Sequence, residues 1–171
     1  IVVEPDVYRD ERGFFLETYH RDKYAAGGID VAFVQDNHSS SRAGVLRGLH
    51  LQAARPQAKL VRVLRGAIFD VVVDVRRSSP TFRRFVTVEL SAGNFRQIFV
   101  PKGYAHGIVA LGDGAEIHYK VSDFYEPSDE LTVIWNDPEL AIPWPVADPV
   151  LSAKDAAGRR VAEIQHLLGE G

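Results

Sequence analysis

An imidazole, a guanidinium and an ammonium group fall within 13 residues in this chain, as His50, Arg47 and Lys59. Arg47 and His50 lie in Val45-Leu46-Arg47-Gly48-Leu49-His50, and Lys59 belongs to Gln57-Ala58-Lys59-Leu60-Val61-Arg62. Val34-Gln35-Asp36-Asn37-His38-Ser39 precedes them. These segments otherwise read as apolar strands. Such a set can move a proton beside an anionic substrate, because imidazole titrates near neutrality and suits proton abstraction. A histidine flanked by Leu49 and Leu51 also has a plain reading, as a hydrogen-bonded core or surface side chain. Strict alternation puts Arg47 and His50 on opposite faces of a strand. Gly48 between them could host a bulge that redirects one of them.

Tyr119 is placed by its own strand. In Glu116-Ile117-His118-Tyr119-Lys120-Val121 the apolar face is Ile117, Tyr119 and Val121, so the phenol points inward and His118 outward. The phenol is then either a packed core tyrosine or a general acid. Lys59 follows a turn containing Pro56 and is either solvated or placed to stabilise an enolate by charge. His106 in Tyr104-Ala105-His106-Gly107 is a loop histidine at the start of a strand, or does similar work, or holds a phosphate. Asp155 in Ser152-Ala153-Lys154-Asp155 reads from composition as a helix cap, favoured by the helix dipole. Asp10-Glu11-Arg12-Gly13 reads as a turn with solvated charges.

The elements that must position these groups are mostly strands. Ala67–Val75 is β-branched, with all odd positions apolar and Asp70 and Asp74 at even ones. Further strands are expected at Phe14–Tyr19, Ala32–Asp36, Lys59–Leu64, Phe85–Leu90, Gln97–Val100, Gly107–Leu111, Glu116–Val121 and Thr132–Trp135. Turn signals such as Ser78-Ser79-Pro80 and Gly112-Asp113-Gly114 separate them. Many short strands at this spacing predict a β-sandwich or barrel. A short helix is expected over His20–Ala26, ended by Gly27-Gly28, and a C-terminal helix over Ser152–Leu168 with Gly169 as its stop. No linker or repeat interrupts residues 1–171, so a single domain is expected.

The chain has 171 residues, 46% hydrophobic and 25% charged, with net charge −3. That is ordinary globular composition, and it argues against a nonspecific nucleic-acid or membrane partner. A small phosphorylated ligand needs only a local basic pocket. Cysteine is absent, which excludes disulfides, thiolate catalysis and cysteine-based zinc sites. No long apolar run or charged-then-apolar leader is present, and a cytoplasmic protein is expected, with initiating residues before Ile1. Gly-x-Ser-x-Gly, Walker and Gly-x-Gly-x-x-Gly patterns are missing. The six histidines, His20, His38, His50, His106, His118 and His166, show no tight metal-binding pair.

Taken together, these segments resemble the dTDP-4-dehydrorhamnose 3,5-epimerase family of cupin-fold sugar-nucleotide epimerases. The resemblance runs in order through Asp10-Glu11-Arg12-Gly13-Phe14-Phe15, Phe33-Val34-Gln35-Asp36-Asn37, Val45 to His50, Lys59 to Arg62, Ser79-Pro80-Thr81-Phe82, Ala105-His106-Gly107, Tyr119-Lys120, Trp135-Asn136-Asp137 and Leu151 to Asp155. It implies a mainly β cupin jelly-roll barrel, a homodimer, and action on a dTDP-sugar with no metal and no coenzyme. His50 would be the general base, with Asp155 pairing with it, and Tyr119 the acid on the opposite sugar face. Lys59, with His106, would stabilise the enolate oxygen. Gln35, Asn37, Arg47, Glu130 and Lys154 match nucleotide-sugar contacts. Arg12 and Glu17 match contacts supplied by the partner subunit, and Phe124 an aromatic stacking on thymine. The chain departs from the family pattern at Leu51, Phe99 and Phe124, where Tyr or Phe, Trp, and Tyr are frequent. These changes remove no proposed catalytic group but bear on substrate preference.

The resemblance implies epimerisation at C3 and C5 of dTDP-4-keto-6-deoxy-D-glucose through an enolate. Three alternatives accompany it: a single-carbon epimerase of a related dTDP-4-keto-deoxysugar, a metal-dependent cupin using His50 and His106, and a noncatalytic sugar-binding cupin. An opposed acid and base, which binding alone does not need, argues against the last.

Overall fold

In a computed structural model describing residues 1–169, the chain folds one sheet onto itself into a barrel. Its strands are β1 (Val2–Val3), β2 (Val7–Asp10), β3 (Gly13–Leu16), β4 (Gln35–Ser41), β5 (Leu46–Gln52), β6 (Lys59–Asp74), β7 (Phe85–Ser91), β8 (Gln97–Val100), β9 (Tyr104–Val121) and β10 (Glu130–Thr132). The helices are α1 (Arg21–Ala26), α2 (Ala153–Ala156) and α3 (Val161–Ile164). Strands β6 and β9 are long enough to serve two layers. Their outer halves, Lys59–Arg65 and Glu116–Val121, pair with each other and with β8 and β4. Their other halves pair with each other and with β7 and β5, and β10 extends β5. This is the expected jelly roll.

The pairing explains why two predicted breaks do not occur. Lys59–Leu64 and Ala67–Val75 are one strand, as are Gly107–Leu111 and Glu116–Val121. Gly66 and Gly114 let both strands bend between layers without leaving the ladder. Both have positive φ, and a Cβ on Gly66 would lie 1.9 Å from the Gly114 carbonyl oxygen. The strand expected over Ala32–Asp36 is found at Gln35–Ser41, and that over Thr132–Trp135 at Glu130–Thr132. The strand expected over Phe14–Tyr19 is found at Gly13–Leu16. The C-terminal helix is not continuous. It breaks into α2, α3 and a 3-10 turn at Gln165–Leu167, because the Gly158 backbone packs on Ile134 and Arg159 bridges to Val133 as a strand would.

Period-two alternation sorts the core. Val61, Val63, Ile98 and Ile117 from one layer meet Ile68, Val72, Leu90 and Ile108 from the other inside the barrel. Val71, Val73, Leu49 and Leu51 point outward beneath Leu140, Val161 and Ile164 of the C-terminal segment. Leu60 and Phe99 pack with Ile29 on the outer side of the other layer, near Tyr24 of α1. The hairpin β2–β3 pairs with no other strand among the described residues. No helix of the described residues is long and apolar enough to cross a membrane.

Candidate active site

The two layers open at one end into a cleft of about 290 Å³. Tyr119 of β9, Lys59 of β6, and Gln35 and Asn37 of β4 reach it from one layer; Arg47, His50 and Gln52 of β5 and Glu130 of β10 from the other. Lys154 of α2 and Tyr125 of the 122–129 loop close its rim. Alternation alone separates Arg47 from His50. The register between β5 and β9 shifts between these two residues, and both side chains turn to the cleft. Gly48 makes this possible. Its φ is +116°, and a Cβ there would lie 2.6 Å from the His106 carbonyl oxygen.

Asp155 lies behind His50, with its Oδ1 2.5 Å from Nε2 of the ring. The Ser152 hydroxyl donates to its Oδ2 at 2.7 Å, while the Asp155 amide donates to Ser152 Oγ at 3.1 Å. The helix-cap reading and the pairing with His50 therefore both hold. Burial opposes charge on Asp155, but hydrogen bonds from His50 and Ser152 outweigh it and hold the carboxyl below the usual range. Glu130 is a second carboxylate at this histidine, 3.6 Å from Nε2, with its side chain 8% exposed. It accepts from Lys154 at 2.6 Å and from the Tyr125 hydroxyl at 2.5 Å. Burial opposes its charge too, and these hydrogen bonds prevail. The same bond to Glu130, helped by burial, pushes the Tyr125 phenol up to about 12.

The Tyr119 phenol is raised mainly by burial, with the Arg47 charge acting the other way. It stays protonated and able to donate at neutral pH. Burial brings the Lys59 ammonium down to about 8, while Glu130 and Asp70 pull it back up. Among the described residues no carboxylate pairs directly with Lys59, so its charge is available to a ligand. Lys154 is instead tied to Glu130. Among the described residues, no group of three or more His, Asp or Glu side chains is placed to hold a metal ion.

Besides Asp155, which stands behind His50, four sequence candidates lie outside this lining. His106 is buried in the barrel interior, with its Nε2 2.8 Å from Oδ2 of the fully buried Asp70. Phe124 is 59% exposed, and its neighbour Tyr125 lines the cleft instead. Arg12 sits at the tip of the β2–β3 hairpin bonded to Asp10, and Glu17 pairs with Lys23. Sequence reasoning missed Leu51, Gln52, Gln57 and Tyr125 in the lining, and Asp70 behind His106. The even positions of Ala67–Val75 carried a signal for Asp70, since a carboxylate on a barrel's inner face needs a partner. Loop residues such as Gln57 and Tyr125 have no periodicity to read.

Comparison with known proteins places the chain in a family. The family described as dTDP-4-dehydrorhamnose 3,5-epimerase matches residues 1–163. A dTDP-4-dehydrorhamnose 3,5-epimerase of Pseudomonas aeruginosa is 52% identical over 165 residues, covering 95% of this chain and 91% of that one. The crystal structure of a dTDP-6-deoxy-D-glucose-3,5-epimerase from Legionella pneumophila, in complex with dTDP-4-keto-L-rhamnose, superimposes with a TM-score of 0.96 at 48% identity, covering 99% of this chain and 92% of that one. A 3'-monoepimerase from Streptomyces bikiniensis in complex with dTDP-quinovose shares the fold at TM-score 0.92 and 35% identity, covering 98% of this chain and 87% of that one. The chain belongs to the dTDP-4-dehydrorhamnose 3,5-epimerase family.

Proposed function

We propose that the protein is an isomerase that inverts C3 and C5 of dTDP-4-keto-6-deoxy-D-glucose, giving dTDP-4-keto-L-rhamnose. The observation that carries this reading is the placement of a histidine–carboxylate pair and a protonated phenol on different layers of one barrel, facing the same cleft. The C3 and C5 hydrogens flank the C4 carbonyl, so loss of either leaves an enolate. His50 takes the proton, and Asp155 balances the imidazolium that forms. The Lys59 ammonium stabilises the negative oxygen at C4, an electrostatic contribution of about 3–4 kcal/mol for one well-placed donor. Tyr119 returns a proton from the other face of the ring, which inverts the centre.

The cleft suits a nucleotide diphosphate at its rim. Arg47 supplies positive charge, Gln35 and Asn37 supply amides, and Lys154 closes the edge with Glu130. The residues act as a single domain spanning 1–171, in the cytoplasm and as a homodimer. The dimer is supported by the unaccompanied β2–β3 hairpin, whose Tyr8, Phe14 and Phe15 are exposed. A second copy seated on it would carry Arg12 and Glu17 to a neighbouring cleft, and light scattering reads its mass. Phe124, exposed beside Tyr125, would stack on the thymine once nucleotide binds, and His106 would support the C4 oxygen from below the cleft.

The deciding experiment is incubation with dTDP-4-keto-6-deoxyglucose in D₂O, followed by NMR. Deuterium at both C3 and C5 with inversion is expected. Exchange at one carbon alone would reassign the protein to the single-carbon reaction carried by its Streptomyces relative, and no exchange would remove the epimerase reading.

A further inference from the structure

We infer that Ser41 is a positioning residue for this reaction, fixing the Arg47 guanidinium so that its free edge faces the substrate. The inference rests on the reading of the cleft as a dTDP-sugar site. Ser41 ends β4, is 8% exposed, and lies on the opposite layer from Arg47. Its Oγ accepts from Arg47 Nε at 2.9 Å, and the Ser40 carbonyl oxygen accepts from Nη2 at 3.2 Å. A guanidinium carries five N–H donors in a rigid plane. The side edge formed by Nε and Nη2 is engaged by β4, which leaves the end edge, Nη1 and the second Nη2 hydrogen, for an anion in the cleft.

The anchor itself is rigid. Ser41 pairs with Ala115, and a Cβ on Gly114 would lie 2.5 Å from the Ser41 carbonyl oxygen. Gly114 in turn presses on Gly66, so three backbones meet without side chains between them. The backbone that carries the hydroxyl is therefore held at a close crossing of strands. An arginine at the cleft mouth is otherwise a long, mobile side chain, and Arg47 is exposed as a residue. Ordering it before the substrate arrives removes part of the entropic cost of binding.

The test is a double-mutant cycle on steady-state kinetics with dTDP-4-keto-6-deoxyglucose. Ser41→Ala is expected to raise KM about five- to tenfold with kcat changed less than about twofold, the size of one lost hydrogen bond of ordinary strength at a partly exposed side chain. Ser41→Thr keeps the hydroxyl and should restore KM. In an Arg47→Lys background, which has no Nε to anchor, Ser41→Ala should add less than about twofold. Where Ser41→Ala fails to fold, Ser41→Cys takes its place, since it keeps the volume and offers only a weak acceptor. An unchanged KM in Ser41→Ala, or the same factor in both backgrounds, overturns the positioning role and leaves Ser41 as packing. A wild-type protein inert toward this substrate overturns the functional reading and this inference together.

Discussion

Replacing Asp155 by Asn keeps the side chain's shape and removes its charge. Asp155 serves three partners, His50 Nε2 at 2.5 Å, the Ser152 hydroxyl at 2.7 Å and the Gly48 amide at 3.4 Å. Its side chain is 4% exposed, so water cannot take over any of these contacts. An amide has one oxygen, which cannot serve both the Oδ1 side, with His50 and Gly48, and the Oδ2 side, with Ser152. With the oxygen on Ser152, the NH₂ faces His50 Nε2 and drives the ring proton onto Nδ1. Nε2 is the nitrogen held by Asp155, so Nδ1 is the one left for substrate, and a protonated Nδ1 cannot act as base. With the amide reversed, the imidazolium still lacks its charge partner. A charge-assisted hydrogen bond contributes about 1.5–3 kcal/mol, and the lost pairing of the imidazolium brings the total to about 3–4 kcal/mol. At about 1.4 kcal/mol per decade, kcat should fall about 10²- to 10³-fold. The same substitution in a serine-protease triad costs about 10⁴-fold. The smaller loss here follows from Glu130, which stands 3.6 Å from the same nitrogen. Asp155→Asn combined with Glu130→Gln should therefore approach about 10⁴-fold. The assay is deuterium incorporation at C3 and C5 by NMR, with circular dichroism confirming the fold. An Asp155→Asn variant within tenfold of the wild-type kcat would falsify the pairing argument and leave Asp155 as a helix cap.

Three further outcomes are expected. Because burial sets the Lys59 ammonium at about 8, and the proposed mechanism uses its charge to stabilise the enolate, kcat should decline as pH rises through that value. Lys59→Met should lose about 10²- to 10³-fold and the alkaline limb with it; a limb that persists in the variant assigns it to another group. Asp74 is buried and accepts from Arg76, Ser79 and Thr81, and although burial opposes its charge these bonds hold its pKa well below the usual carboxylate range. Its folded pKa lies below its unfolded one, so its contribution is complete above about pH 4 and is lost as pH falls towards the folded value. Asp74→Asn should cost about 2–4 kcal/mol in urea unfolding at neutral pH, with the gap to wild type closing in acid; equal stability at neutral pH would remove the argument. Gly48→Ala forces a Cβ to 2.6 Å from the His106 carbonyl oxygen at a φ of +116°, and should cost at least about 3 kcal/mol together with turnover. A variant that keeps both melting temperature and activity would show that the Arg47–His50 register does not depend on this glycine.

Local sequence periodicity determined the strands and their faces. Alternation alone turned Tyr119 inward with Ile117 and left His118 on the outer side, where its Nε2 lies 3.8 Å from Asp36. The strands at Gln97–Val100 and Phe85–Leu90 and the short helix ended by Gly27 were legible for the same reason, since each depends only on neighbours in the chain. The ordered motifs named the family, because many residue types in register are specific where one is not. Tertiary structure decided what depends on distant pairing. The reach of β6 and β9 across both layers depended on Gly66 and Gly114 meeting in space, and the predicted turn at Gly112-Asp113-Gly114 gave way to it. The turn of Arg47 and His50 into one cleft depended on the partner register of β9. Asp155 reaches His50 from 105 residues away, and Glu130 comes beside the same ring only because β10 pairs with β5. Alternation reports which way a side chain faces along its own strand, but not which strand lies opposite. Tyr119, His50 and Lys59 could be chosen from the sequence, and only the closed barrel brought them to the same cleft.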